Sequence, residues 1–269
     1  MNSLKRTGLV AALAALAAAP QLAAQVPGMP LFTNPRIATG FRVHADYGMP
    51  TKKDPSGADL SVFQGGLGFV LGPVGIDANI GSLRSNLKGI QACQSNPSGS
   101  GCNANSKVTA SALAQIKVMG GGRSNLSLSI FGGGSMDLTA YDALDCSSFT
   151  GLNLTICQAQ RDQHAAKQLT IPVGAALGLR IPLGFGSLNL WGAPRMSITK
   201  FVNCPAGQTG PCDAKSQSNF RWALGADFPI LRVLSIRAAY ESGKEGPTGA
   251  TVTTSNWGIG ASLGIGGMR

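Results

Sequence analysis

The chain has 269 residues and a formal net charge of +10, yet only 13% of its residues are charged, about half the level of an ordinary soluble protein. Its basic residues are dispersed and form no cluster with aromatic residues, which argues against nucleic-acid binding. Mean hydropathy is slightly positive, but beyond residue 24 no run is long and apolar enough for a membrane helix, a combination typical of a lipid-facing β-structure.

The first 24 residues have the three parts of a secretory signal peptide. Lys5 and Arg6 form a charged start, an apolar run too short for a membrane helix follows, and small residues lead to a predicted cleavage site after Ala24. Residues 25–34 contain prolines and lack periodicity, so we expect a short periplasmic lead. We expect residues 35–269 to form a single β-barrel domain, for the reasons given in the next paragraphs.

Ten segments of alternating apolar and polar residues follow. They lie near residues 37–47, 60–71, 74–83, 107–119, 126–138, 169–181, 188–200, 220–228, 234–240 and 257–265. Segments of about ten residues are long enough to cross a bilayer as tilted strands. The pattern predicts an all-β fold, a closed antiparallel transmembrane β-barrel of about ten strands.

The predicted connections alternate in length. Those after even-numbered strands have at most about six residues and those after odd-numbered strands about eleven or more, as expected for short periplasmic turns and long external loops. Three cysteine pairs fall in the long set: Cys93 with Cys102, Cys146 with Cys157, and Cys204 with Cys212. We expect each pair to form a disulfide within its loop, which requires an oxidising compartment. No CxxC spacing occurs, so neither a metal site nor a cofactor is predicted.

Pro172 and Pro194 lie inside predicted strands. Each removes a hydrogen bond from the ladder, and a closed barrel has no free edge to accommodate that loss. We therefore expect a β-bulge or a strand end at each proline.

Aromatic residues collect where the predicted strands meet the long loops. The predicted girdle comprises Tyr47, Phe63, Tyr141, Phe201, Phe220, Trp222, Tyr240 and Trp257. Such rings favour the depth of the lipid headgroups. We expect a monomer that is surrounded by outer-membrane lipid and inserted by the barrel-insertion machinery.

The opposite strand face carries charges of both signs. The predicted lumen-facing residues are Arg42, His44, Asp46, Asp77, Lys117, Arg180, Arg195, Arg221, Asp227, Arg237 and Glu241. They favour either a salt-bridged plug that holds the wall together or a narrow polar pore with weak anion preference, because basic residues outnumber acidic ones. Inward glycines, among them Gly178 and Gly258, leave space for water and favour the pore.

An enzymatic site is the third possibility for the lumen. His44 and Asp46 share one face near the predicted outer rim, and histidine–carboxylate pairs occur in hydrolytic sites. Neither Ser61 nor Ser111 is expected to approach His44, so we predict no enzyme and assign no catalytic residue.

The last strand alternates Trp257, Ile259, Ala261, Leu263 and Ile265 with small or polar residues. Together with the export signal and the ten spans, this pattern resembles small bacterial outer-membrane β-barrel proteins of the porin-like, OmpX-like or OmpW-like kind. The resemblance implies an outer-membrane location and a structural or porin-like role with disulfide-closed surface loops. The alternatives are a surface adhesin or ligand-binding barrel, an outer-membrane hydrolase and a secreted soluble β-sandwich. An external ligand is not specified.

Overall fold

A computed structural model describes most of the barrel domain. The described residues are 29–35, 40–51, 59–86, 105–120, 124–140, 146, 147, 150, 151, 154, 157, 158, 167–184, 186–202, 216–231, 233–245 and 252–265. The predicted signal peptide, Tyr141, Cys93, Cys102, Cys204 and Cys212 lie outside them.

Ten antiparallel strands form one closed sheet. They are β1 (Gly40–Pro50), β2 (Asp59–Leu71), β3 (Val74–Asn86), β4 (Asn105–Met119), β5 (Leu126–Asp137), β6 (Lys167–Leu183), β7 (Gly186–Val202), β8 (Gln217–Pro229), β9 (Leu234–Glu245) and β10 (Val252–Ile265). Each strand pairs with its neighbour in the chain, and β1 pairs with β10 from Phe41–Ile265 to Pro50–Asn256. The predicted ten-stranded barrel is confirmed. The alternative of a β-sandwich is wrong because the first and last strands share a ladder.

The outer surface of the barrel is apolar. Large side chains such as Leu67, Leu71 and Ile80 are more than half exposed, while the intervening positions carry polar residues that are buried inside the barrel. This distribution is the reverse of that in a soluble protein and is the one that hydrocarbon tails require. The fold is an outer-membrane type of β-barrel. No helix among the described residues is long and apolar enough to cross a membrane.

The two ends of the barrel differ in the length of their connections. Between two and six residues join the strands at the turn side, and between six and 29 at the loop side. Several strands extend further toward the loops than the hydropathy predicted: β9 continues to Glu245 and β10 begins at Val252, and these two residues pair. Backbone pairing needs no apolar side chains, so the ladder continues above the lipid-facing region where the hydrophobic alternation has ended.

The strands run through Pro172 and Pro194, so the predicted bulges or strand ends are wrong. Pairing of β5 with β6 stops for two residues beside Pro172, pairing of β6 with β7 does so beside Pro194, and both resume in the same register. The missing N–H groups thus open the ladder locally without displacing a strand. Among the described pairs, the register shifts between Lys117 and Met119, where β4 meets β5.

Residues 29–35 lie inside the barrel, which corrects the predicted periplasmic lead. Met29, Thr33 and Pro35 are among the most completely buried residues described. The apolar residues of this stretch have no periodicity because they pack against several strands around the barrel rather than along one face, so the sequence pattern could not place them. We call residues 29–35 the lumen segment.

Candidate functional site in the barrel lumen

Polar contacts hold the lumen segment to three strands of the wall. The backbone N–H of Leu31 donates to Oε2 of Glu241 on β9 over 3.0 Å. The side-chain amide of Asn34 donates to Asp227 on β8 over 3.0 Å. Gln115 on β4 donates to the backbone carbonyl of Asn34 over 3.2 Å. The bonds of the Leu31 N–H and the Asn34 carbonyl satisfy main-chain groups that have no strand partner inside the barrel.

Apolar packing accompanies these bonds. Leu31 belongs to a buried cluster with Leu113, Phe131 and Trp191, while Met29 packs with other wall residues at the loop side. Phe32 packs against both clusters, and the guanidinium of Arg237 lies 4.5 Å from the centre of its ring. The interior of this barrel is therefore partly an apolar core, which the predicted polar lumen did not include.

Two inward glycines make room for the prolines of the lumen segment. A Cβ atom on Gly178 would lie 2.7 Å from Cγ of Pro35, and one on Gly258 would lie 2.9 Å from Cδ of Pro30. Real Cβ atoms do not approach carbon so closely, so only glycine fits at either wall position. These glycines, predicted to leave space for water, accommodate protein instead.

Glu241 is the centre of a buried charge cluster. Its carboxylate accepts from Nη2 of Arg195 at 2.6 Å and from Nε of Arg221 at 2.8 Å, in addition to the Leu31 amide. Arg221 also donates to Thr254. All three charged side chains are almost fully enclosed by the barrel, so each compensates for the desolvation of the others.

A second cluster surrounds Asp46. Arg237 donates to both of its carboxylate oxygens, at 2.7 and 2.6 Å, and Gln64 donates to it over 3.1 Å. Next to this pair, Arg42 contacts Asp77. Both acids thus lie against arginines from other strands, as expected for buried charges.

His44 lies among these side chains at mid-height, which corrects its predicted position near the rim. Its Nε2 is 2.5 Å from Oδ1 of Asn79, and its ring nitrogens are 3.9 Å from Asp46 and 3.5 Å from Asp77. Ser111, which was not expected to approach His44, lines a small cavity together with it. The ring of His44 nevertheless contacts Asn79 rather than a serine. The side chain of His44 is 2% exposed, so a substrate cannot reach it while the lumen segment is in place.

The remaining predicted lumen residues lie toward the turn side, where Lys117, Arg180 and Asp227 are on inward positions and partly exposed. Sequence reasoning missed two further contacts. Nε1 of Trp191 donates to Asp227 over 2.6 Å, and Lys107 pairs with Asp137 at 2.5 Å. All four residues lie on the inward face of their strands by alternation, so the alternation of each strand was the signal that could have identified both pairs.

A small cavity adjoins the lumen segment. A cavity of about 30 Å³, lined by Met29 to Phe32, His44, Asp77 and Arg237, is present at mid-height. It has room for about one or two water molecules. Among the described residues, no group of three or more His, Cys, Asp or Glu side chains is arranged to hold a metal ion.

The predicted girdle is largely found on the lipid-facing side. Neighbouring rings are in contact, with centroids 6.5 Å apart for Tyr47 and Trp257 and 5.6 Å apart for Trp222 and Tyr240. Phe63 and Phe220 are also outward and exposed. Phe201 was placed wrongly, because it lies on the inward-facing parity of β7, shared with Trp191 and Arg195.

One of the predicted cysteine pairs lies in the described part of a long loop. The sulfur atoms of Cys146 and Cys157 form a disulfide, and both residues are buried within the loop. The bridge lies between β5 and β6 on the loop side.

No family model matches the chain, and no curated protein matches it. The barrel is similar to the translocator domain of autotransporter NalP from Neisseria meningitidis, at 13% identity and a TM-score of 0.41, over 85% of this chain and 90% of that one. It is also similar to Ail, the attachment invasion locus protein of Yersinia pestis (14%, 0.32, 85% and 100%). A third similar structure is the outer membrane protease OmpT from Escherichia coli (9%, 0.32, 84% and 94%). The membrane-spanning class of the fold follows from the chain's own apolar exterior and from the charged side chains buried inside the barrel.

Proposed function

We propose that this protein is a structural outer-membrane barrel whose lumen is closed by its own N-terminal segment and whose surface role belongs to its disulfide-closed loops. One observation carries the proposal: the Leu31 amide is bound to Glu241 while the Leu31 side chain fills the apolar cluster at the centre of the lumen. A barrel built for diffusion needs a continuous water-filled path, and here Met29, Thr33 and Pro35 are buried inside the barrel where that path would run.

The predicted porin-like pore would correspond to a second state of the same barrel, in which the lumen segment has left the lumen. If residues 29–35 left the barrel, the exposed wall would carry more arginines and lysines than acids, which favours anions weakly. Arg42, Arg195 and Arg221 are paired with carboxylates of other wall strands. Because these paired side chains extend into the lumen, the open path would be narrow. The lumen segment is therefore the feature that decides between a closed barrel and a pore.

Conductance across a planar lipid bilayer tests the proposal. The purified protein is compared with a variant in which residues 29–35 are replaced by seven alternating glycines and serines, so that the length of the chain is retained. We expect no steps for the wild type and steps with a weakly anion-selective reversal potential for the variant. Steps from the wild type as large as those from the variant would disprove the closed-lumen proposal.

The hydrolase alternative is tested separately. His44 is the one residue that the sequence offered for such chemistry, and it is enclosed by Asn79, Asp77 and the lumen segment. We expect purified protein to cleave a peptide library no faster than its His44→Ala variant. A peptide hydrolysis that is abolished in His44→Ala would establish the enzymatic function instead.

A further inference from the structure

The lumen segment has a direction. Met29 packs with Val62 and Leu83, which lie near the loop-side ends of β2 and β3. Pro35 packs against Gly178, toward the turn-side end of β6. Between these two residues, the chain descends from the loop side to the turn side.

The contacts in between follow the same order. Leu31 bonds to Glu241, and the next residue, Phe32, stacks on Arg237. Arg237 lies four residues closer than Glu241 to the turn-side end of β9. Asn34 then bonds to Asp227, two residues from the turn-side end of β8. The descent is continuous, so the segment does not fold back on itself. Six steps of an extended chain cover roughly 20 Å, comparable to the apolar height of an outer-membrane barrel.

The first strand begins where this descent ends. Gly40 is at the turn side, next to the short connection between β2 and β3. A chain that started on the turn side and also descended through the lumen would have to ascend through the lumen first. The single descending pass already contacts the wall along its length, with Met29 against Val62 and Leu83, Pro30 against Gly258 and Pro35 against Gly178.

We propose that the chain enters the barrel through its loop-side mouth, so that the end preceding Met29 lies on the same side of the membrane as the long loops. The barrel then displays its own N-terminal end at the cell surface, and the lumen segment is the tether that passes through the barrel. This inference rests on the occupied lumen of the proposed function but adds a direction that a merely closed barrel does not need.

The position of an epitope tag tests the inference. The tag is inserted between Gln25 and Val26, and antibody labelling is compared between intact and permeabilised cells. Matched controls carry the same tag at Gly151 in a long loop and at Gly184 in a short turn, two glycines whose surroundings are open. We expect the N-terminal tag to label intact cells as strongly as the Gly151 tag. Labelling that requires permeabilisation, as for the Gly184 tag, would overturn the inference.

A smaller change covers the case in which a tag prevents folding. In the variant Val26→Lys, a membrane-impermeant amine reagent is applied to intact cells and the peptide that contains the new lysine is analysed by mass spectrometry. Modification of that lysine to the extent seen for Lys244, which is exposed beyond the outer girdle, supports the inference. A substituted side chain that reacts only after lysis contradicts it.

The two proposals can fail independently. A non-conducting wild type whose N-terminal tag is on the turn side keeps the closed lumen and refutes the direction. A conducting wild type with a surface-exposed tag refutes the closed lumen and keeps the direction.

Discussion

The backbone amide of Leu31 donates a hydrogen bond to the Glu241 carboxylate across 210 residues of sequence. The same carboxylate neutralises Arg195 and Arg221. One acidic side chain therefore joins three wall strands and the segment that fills the barrel. The closure of the lumen and the stability of the wall depend on the same group.

Glu241→Ala is expected to destabilise the barrel strongly. It removes the carboxylate that pairs with two buried guanidinium groups, and removing one partner of a buried ion pair costs about 3–5 kcal/mol. The free energy of unfolding in urea, followed in detergent micelles, measures the effect. Thr253→Ala, at an exposed position on β10, serves as the control. An unchanged unfolding midpoint in Glu241→Ala would mean that the cluster is not maintained in the membrane-embedded protein.

Gly258→Leu is expected to displace the lumen segment and to shift the neighbouring wall only slightly, because the new Cβ atom would also lie 3.2 Å from the backbone oxygen of Tyr47. Its new Cβ atom would lie 2.9 Å from Pro30, so residues near the loop-side half of the segment must move. We expect conductance steps that the wild type lacks. Gly132→Leu is the control for a glycine-to-leucine change on the outer face of the wall, where a Cβ atom meets nothing closer than 3.9 Å. Identical recordings from both variants would show that the segment does not limit ion passage.

The Cys146–Cys157 disulfide is expected to protect its loop rather than the wall. Closing a loop this short restricts the unfolded loop by on the order of 2–3 kcal/mol, so its removal should increase local opening. The double variant Cys146→Ala/Cys157→Ala should be cut faster by a protease added to intact cells. The wall should unfold at the same urea concentration as before. A loop that is cut at the wild-type rate would contradict this role for the bridge.

The wall was predictable from the sequence because two independent patterns agree on it. Alternation placed residues such as Ile259 outside, and loop length fixed the direction of each strand; both depend on local sequence. The ends of the strands were less predictable, since pairs such as Glu245 with Val252 are held by the backbone. Nothing in their side chains distinguishes them from a loop.

The occupant of the lumen was not predictable by the same means. Met29, Leu31 and Phe32 show no periodicity because their partners lie on several strands around the barrel, and Phe32 packs against both clusters. Their partners are more than 200 residues away in the case of Glu241. The inward glycines did carry a signal, but a glycine opposite a void and a glycine opposite a proline look the same in one sequence.

The three tryptophans of the chain are expected to report separately on the lumen and the lipid. Trp191 is 4% exposed inside the barrel and bonds to Asp227, whereas Trp222 and Trp257 lie on the lipid-facing side. In variants that keep one tryptophan and carry phenylalanine at the other two positions, brominated lipids should quench Trp222 and Trp257 strongly and Trp191 weakly, because quenching requires contact with the acyl chains. Detergent micelles without bromine provide the reference intensity for each variant. Quenching of Trp191 as strong as that of Trp222 would place its ring in the lipid and would contradict both the inward face of β7 and the apolar cluster around Leu31.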